Sequence, residues 1–130
     1  MAKSKKVCSR SMQKKPNRKK LEKELDNEWS TYVRNRDKIC KKCSGAGYIS
    51  AHHAFGRRHH ATRFDVVNGV GLCFPCHIHW AHRDPGGFTE WFRVHVGEDQ
   101  YNRLREAHNQ IVKFSVEDLQ AMLENIRGLE

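Results

Sequence analysis

The sequence predicts a small α+β protein built on a metal-bearing core with helices on both sides. Three observations carry this. Four of the five cysteines form two Cys-x-x-Cys pairs, Cys40/Cys43 and Cys73/Cys76. Seven of the nine histidines lie between residues 40 and 82, among them the doublet His52-His53 and the trio His77, His79 and His82. The segment between the cysteine pairs reads as strand, loop, strand, while both flanks repeat apolar residues at three- and four-residue steps, the spacing of amphipathic helices.

In order, the chain opens on residues 1–20, which hold nine basic and no acidic residues. The other 110 residues hold fifteen of each sign, so the net charge of +9 sits on this arm. With few apolar residues the arm is expected to be disordered alone. It suits tethering to a polyanion such as DNA, because each neutralised phosphate releases counterions; a targeting address or a solubility tail are its rivals. No apolar run approaches the ~18 residues of a membrane span, and no signal-peptide core follows Met1. Residues 21–36 then read as a helix with the stripe Leu21, Leu25, Trp29 (or Glu28) and Tyr32/Val33, and Glu22, Glu24 and Asp26 near its start suit the helix dipole. That stripe is expected to pack on the metal core.

Residues 37–84 form the core. Two Cys-x-x-Cys turns supply the four thiolates that tetrahedral Zn²⁺ prefers. Two disulfides are the rival, and those belong mainly to oxidising compartments; a cytoplasmic protein is expected. The 29 residues between Cys43 and Cys73 exceed the spacing of compact four-cysteine sites, so something folded should fill the gap. Tyr48–Ala51 reads as a strand delivering His52 and His53, and Val66–Leu72 as a second strand. From Cys73 through His82 a short helix is expected, stopped near Pro85-Gly86-Gly87. This arrangement puts His53 and His77 towards one cavity. His79 and His82, two and five residues after His77, cannot both share an α-helical face with it; His82 is kept as a third ligand or a phosphate contact.

His53, Asn68 and His77, with the run N-G-V-G-L-C-F-P-C-H over residues 68–77, resemble the three named positions of the HNH endonucleases. The flanking cysteine pairs resemble the zinc-bearing branch of that family, and the run Phe88, Trp91, Gly97, Tyr101 is similar to that of small phage recombination nucleases of the NinG and Ref type. The resemblance spans about residues 37–110. It implies a ββα-metal fold that hydrolyses DNA phosphodiester bonds, a phage-encoded protein acting in its host cell, and no small-molecule cofactor. It casts His53 as general base, His52 and His77 as ligands of a catalytic divalent metal (Mg²⁺, Mn²⁺, Ni²⁺ or Zn²⁺), and Asn68 as the residue holding the base's loop. His52 stands where the family more often has Asp, and imidazole favours Zn or Ni more than a carboxylate does. Arg57, Arg58 and Arg63 either clamp the nucleic-acid backbone or line a solvated basic loop.

Residues 85–130 are expected to be a helical scaffold. Thr89 would cap a helix carrying Trp91, Phe92 and Val96 and closed by Gly97, and Asp99 would cap the next, with Tyr101 and Leu104 inward. Ser115 and Asp118 would form a capping box for a last helix with the stripe Leu119, Met122, Leu123 and Ile126, ending at Gly128. The alternative to a nuclease is a non-catalytic zinc-stabilised module that binds nucleic acid; the histidine doublet, which zinc scaffolding does not need, favours the nuclease.

Overall fold

A computed structural model describes residues 17–129, so most of the basic arm and Cys8 lie outside the described residues. The elements are α1 (Arg18–Asp37), β1 (Ser50–His53), the single turn α2 (His60–Arg63), a 3-10 turn (Val66–Asn68), β2 (Gly69–Leu72), a π-wound segment (Pro75–Ala81), α3 (Pro85–Val96), α4 (Glu98–His108) and α5 (Val116–Leu129). The protein is thus α+β, mostly helical with a two-stranded sheet. Among the described residues no helix is long and apolar enough to cross a membrane.

α1 starts three residues earlier than its apolar spacing predicts, taking Arg18, Lys19 and Lys20 from the expected arm. Asn17 sets the start: its side chain accepts from the backbone N–H groups of Lys19 and Lys20. The first turn holds no acidic residue, so the dipole argument from Glu22 and Asp26 does not place this end. Leu21, Leu25, Trp29 and Val33 are buried at four-residue steps, as expected. They pack with Leu119, Leu123 and Ile126 of α5 and with Phe64. Each such side chain removed from water is worth roughly 1.5–3 kcal/mol. The α5 box forms as the sequence predicts, Ser115 N–H donating to Asp118 Oδ2 and Asp118 N–H to Ser115 Oγ, both at 3.0 Å. The helix runs on through Gly128 to Leu129.

Both strands are offset from expectation. β1 begins two residues late and contains the histidine doublet, leaving Tyr48 78% exposed before it. β2 begins only at Gly69, because Val66–Asn68 winds into a 3-10 turn that the Asp65 side chain caps through Val67 N–H. The strands pair antiparallel, Ser50 opposite Leu72, Ala51 opposite Gly71, His52 opposite Val70 and His53 opposite Gly69. Since side chains alternate along a strand, His52, Val70 and Leu72 share one face, and Ala51, His53, Gly69 and Gly71 the other.

The glycine face meets α1. A Cβ on Gly69 would come within 2.5 Å of Val33 Cγ2 and 2.6 Å of Trp29 Cζ2, so the bare backbone is what lets the helix lie against the sheet. On the other face Val70 and Leu72 join Phe88 and Phe92 of α3 and Tyr101 and Leu104 of α4 in a second apolar cluster. The result is helix, sheet, helix in three layers, with the doublet at the exit of β1.

After β2, the π-wound segment ends at Ala81, before Pro85 as expected, and Pro85 itself opens α3: it occupies the first turn, where a missing N–H costs nothing. Asp84, not Thr89, is the cap, accepting from Gly87 N–H at 3.1 Å. Gly97 at φ +90° closes α3 as expected. α4 then begins at once, at Glu98, with no side-chain cap, so Asp99 lies inside the helix.

Candidate metal centres

The four cysteines come from two turns on either side of the sheet's far end. Cys40, Cys43, Cys73 and Cys76 are unbridged and offer their sulfurs within 4.8 Å of one another. Cys43 Sγ and Cys73 Sγ are 3.6 Å apart; Zn–S bonds of about 2.3 Å in a tetrahedron put sulfurs about 3.8 Å apart. Cys40 is buried, which works against its thiolate, but backbone N–H groups of Cys73, Cys43 and Lys42 outweigh this and lower it to about 6. Cys76 is pushed strongly up by burial and by the neighbouring sulfurs. One thiolate forms readily, while Cys73 and Cys76 resist adding like charge beside it. A divalent cation removes that conflict, and this quartet could hold a structural ion such as Zn²⁺.

A second group lies on the apolar face of the sheet. His52, His77 and His82 each present a ring nitrogen within 4.8 Å of the other two. Their ring centroids are 5.0 Å (His52–His77), 5.4 Å (His52–His82) and 4.5 Å (His77–His82) apart. His77 Nε2 and His82 Nε2 are 3.0 Å apart, close to the ~3.3 Å that two imidazoles reach on one tetrahedral ion with bonds of about 2.0–2.1 Å. Sequence spacing argued against this pairing, since five residues fall off an α-helical face. The chain here is wound instead with an i→i+5 bond, His82 N–H to His77 O at 3.1 Å, and that wider turn stacks residue i+5 over residue i. Such π turns recur at functional sites. His79 is exposed and sets its ring edge-on to Phe74, apart from this group.

Burial, then the charges of His77 and His82, pushes His52 down to about 3; burial and His82 also lower His77. Both rings are therefore neutral at neutral pH, which leaves lone pairs for a cation. Phe88 packs its ring edge-on to His52 at 4.8 Å and walls the pocket.

His53 turns the other way. The ring that meets His77 is that of His52; His53 stacks on Trp29 of α1, centroids 3.8 Å apart and planes 6° from parallel. His53 and His77 therefore do not line a single cavity between their own elements, as the sequence reading expected. They sit on the two sides of a strand end. His53 Nε2 lies 3.0 Å from the Arg63 carbonyl. A carbonyl only accepts, so Nε2 carries the proton and Nδ1 bears the free lone pair. Burial lowers His53 to about 4, with the Arg63 carbonyl and Asp26 opposing, and Arg57 and Arg63 adding to it.

Asn68 is fully buried and ties the loop after β1 to the turn before β2. Its Oδ1 accepts from Phe55 N–H at 2.7 Å, and its Nδ2 donates to the carbonyls of Phe55 (2.9 Å) and Thr62 (3.1 Å). The segment it braces runs from His53 to Arg63, whose carbonyl holds His53.

No family model, curated protein or solved structure matches the chain. The site is read from its own geometry. That geometry divides the three arginines. Arg57 and Arg63 both bind the Asp26 carboxylate, at 2.7 and 2.6 Å, so they brace the loop against α1, Arg63 largely buried and Arg57 still exposed to solvent. Arg58 is exposed and has no ion-pair partner among the described residues. Asp26 and Trp29 were invisible as site residues in the sequence, where Trp29 reads as one more member of a core stripe and Asp26 as a helix-start acid. Only the fold brings them to His53.

Proposed function

We propose that the protein is a metal-dependent endonuclease of HNH type, hydrolysing DNA phosphodiester bonds. The observation that carries this is the three-imidazole group of His52, His77 and His82 beside a fourth, braced imidazole, His53, on the neighbouring residue. The all-nitrogen donor set suits Zn²⁺ or Ni²⁺ better than Mg²⁺. A bound divalent cation would supply Lewis-acid stabilisation of the charge that develops on the scissile phosphate and its leaving oxygen.

The chain's own residues do the rest. With the scissile phosphate lying across the end of β1, between its two faces, His53, neutral at neutral pH, takes a proton from the attacking water at Nδ1 while Nε2–H remains on the Arg63 carbonyl. A ring held near 4 is a weak but fully available base, so its contribution rests on position more than on basicity. Asn68 keeps the His53–Arg63 loop in register, and exposed Arg58 offers a contact to the nucleic-acid backbone. The cysteine quartet serves as structural support for the turn that feeds the π segment.

The test is cleavage of supercoiled plasmid with Mg²⁺, Mn²⁺, Ni²⁺ or Zn²⁺ added. Wild-type protein should nick or cut it, and His53→Ala should lose about 10²–10⁴-fold in rate, the range for acid–base catalysis. Salt-sensitive DNA binding without cleavage under any ion would make the protein a non-catalytic zinc-stabilised module instead.

A further inference from the structure

We propose that Trp29, which belongs to the flanking helix and not to the metal-bearing segment, is the positioning residue of His53. This rests on the nuclease reading above and says how the base is aimed.

A histidine ring is free to rotate about its last side-chain bond, a broad two-fold torsion. Here two contacts remove that freedom. The Arg63 carbonyl 3.0 Å from Nε2 settles which nitrogen carries the proton. The indole stacked at 3.8 Å and 6° settles the plane of the ring and so the direction in which Nδ1 points. A hydrogen bond alone leaves the ring to swing about its axis; a flat wall does not.

The wall is itself fixed. Trp29 is 1% exposed, and its Nε1–H donates to the Asp65 carbonyl at 2.8 Å. Asp65 is anchored in turn by Arg103 of α4, whose guanidinium meets its carboxylate at 2.9 Å. Three residues before Trp29 on the same helix, Asp26 binds the Arg63 side chain at 2.6 Å and so steadies the peptide that holds Nε2. One helix therefore supports both contacts to the imidazole.

The experiment compares Trp29→Phe and Trp29→Leu with wild type in steady-state plasmid cleavage, together with divalent-metal affinity and the proton chemical shifts of the His53 ring. In wild type, the His53 ring protons should lie upfield of those of exposed His79 through the indole ring current. Trp29→Leu should cut kcat by about tenfold or more, as misplacing a reacting group does, with KM and metal affinity within about twofold. Trp29→Phe, which restores a flat partner, should recover most of the loss. A folded Trp29→Leu protein with wild-type kcat overturns the proposal. So does a wild-type His53 ring with no upfield displacement, a result that does not depend on either variant folding. If wild type cuts but Trp29 proves neutral, this inference alone falls; if wild type cuts nothing with any metal, the nuclease reading falls and takes it along.

Discussion

His77 and His82 hold their Nε2 atoms 3.0 Å apart although five residues separate them. The contact exists because the backbone between them closes with an i→i+5 bond. It makes His82 a full member of a three-nitrogen group.

His82→Ala should therefore weaken binding of Co²⁺ or Zn²⁺ at the histidine group by more than the ~10–100-fold that disturbing a supporting residue costs. His79→Ala, two residues after His77 but facing Phe74, should leave it unchanged. Isothermal titration with the cysteine site already filled separates the two. Equal losses for both variants would contradict the assigned ligand set.

Stripping the cysteine-held ion should unfold the core. Structural zinc contributes about 10–16 kcal/mol in small domains, as much as or more than the ~5–15 kcal/mol by which a folded protein exceeds its unfolded chain. Circular dichroism during titration with a strong chelator should show loss of helix in step with zinc release, and Cys40→Ser should show it at lower chelator concentration.

Asn68→Ala leaves the half-buried Phe55 N–H and carbonyl without their partner, while the Thr62 carbonyl keeps the Asp65 N–H at 3.1 Å. Unsatisfied buried groups cost about 1–3 kcal/mol each, so with two such groups a loss of roughly 2 kcal/mol or more in urea unfolding is expected, with the denaturant slope unchanged. A loss below about 1 kcal/mol would mean that the loop is not held from this residue.

Gly69→Ala forces a methyl against Val33 and Trp29, at 2.5 and 2.6 Å from their nearest atoms. Overpacking of this kind costs about 1–3 kcal/mol. Gly56→Ala, whose added Cβ meets nothing within 4 Å, is the control and should melt close to wild type.

His108 gives a pH dependence of stability. Burial, then the charge of His59, lowers it, and its Nδ1 is buried without a hydrogen-bond partner. A histidine depressed in the folded state is protonated more readily in the unfolded chain. Its contribution is thus complete above the unfolded pKa of about 6.5 and is lost as pH falls below it. The drop in melting temperature between about pH 7.5 and about pH 5.5 should be smaller for His108→Phe than for wild type. An unchanged drop would remove His108 from the acid response.

Much of this protein is written in local patterns. The paired cysteines, the Leu21–Leu25–Trp29–Val33 stripe, the Ser115/Asp118 box and the closing Gly97 each follow from a few neighbouring residues, and each is found as read. The misses have a common origin. Asn17 moved the start of α1, Asp65 turned Val66–Asn68 out of the strand, and Asp84 with Pro85 opened α3 ahead of the expected Thr89 cap; single caps outweighed averaged propensities. The π winding that recruits His82 leaves no mark in an apolar period. Asp26 and Trp29 reach His53 across 27 and 24 residues of chain, and no spacing rule reports a contact of that range.

The side-chain-free strip at Gly69 and Gly71 sets the smallest piece of this chain that could work alone. A fragment beginning at Cys40 would keep every sulfur and imidazole of the two groups. It would lose the helix that shields that strip, exposing a naked two-stranded ribbon to solvent and to its own copies. Such a fragment should clump rather than cut, however well it captures its ions.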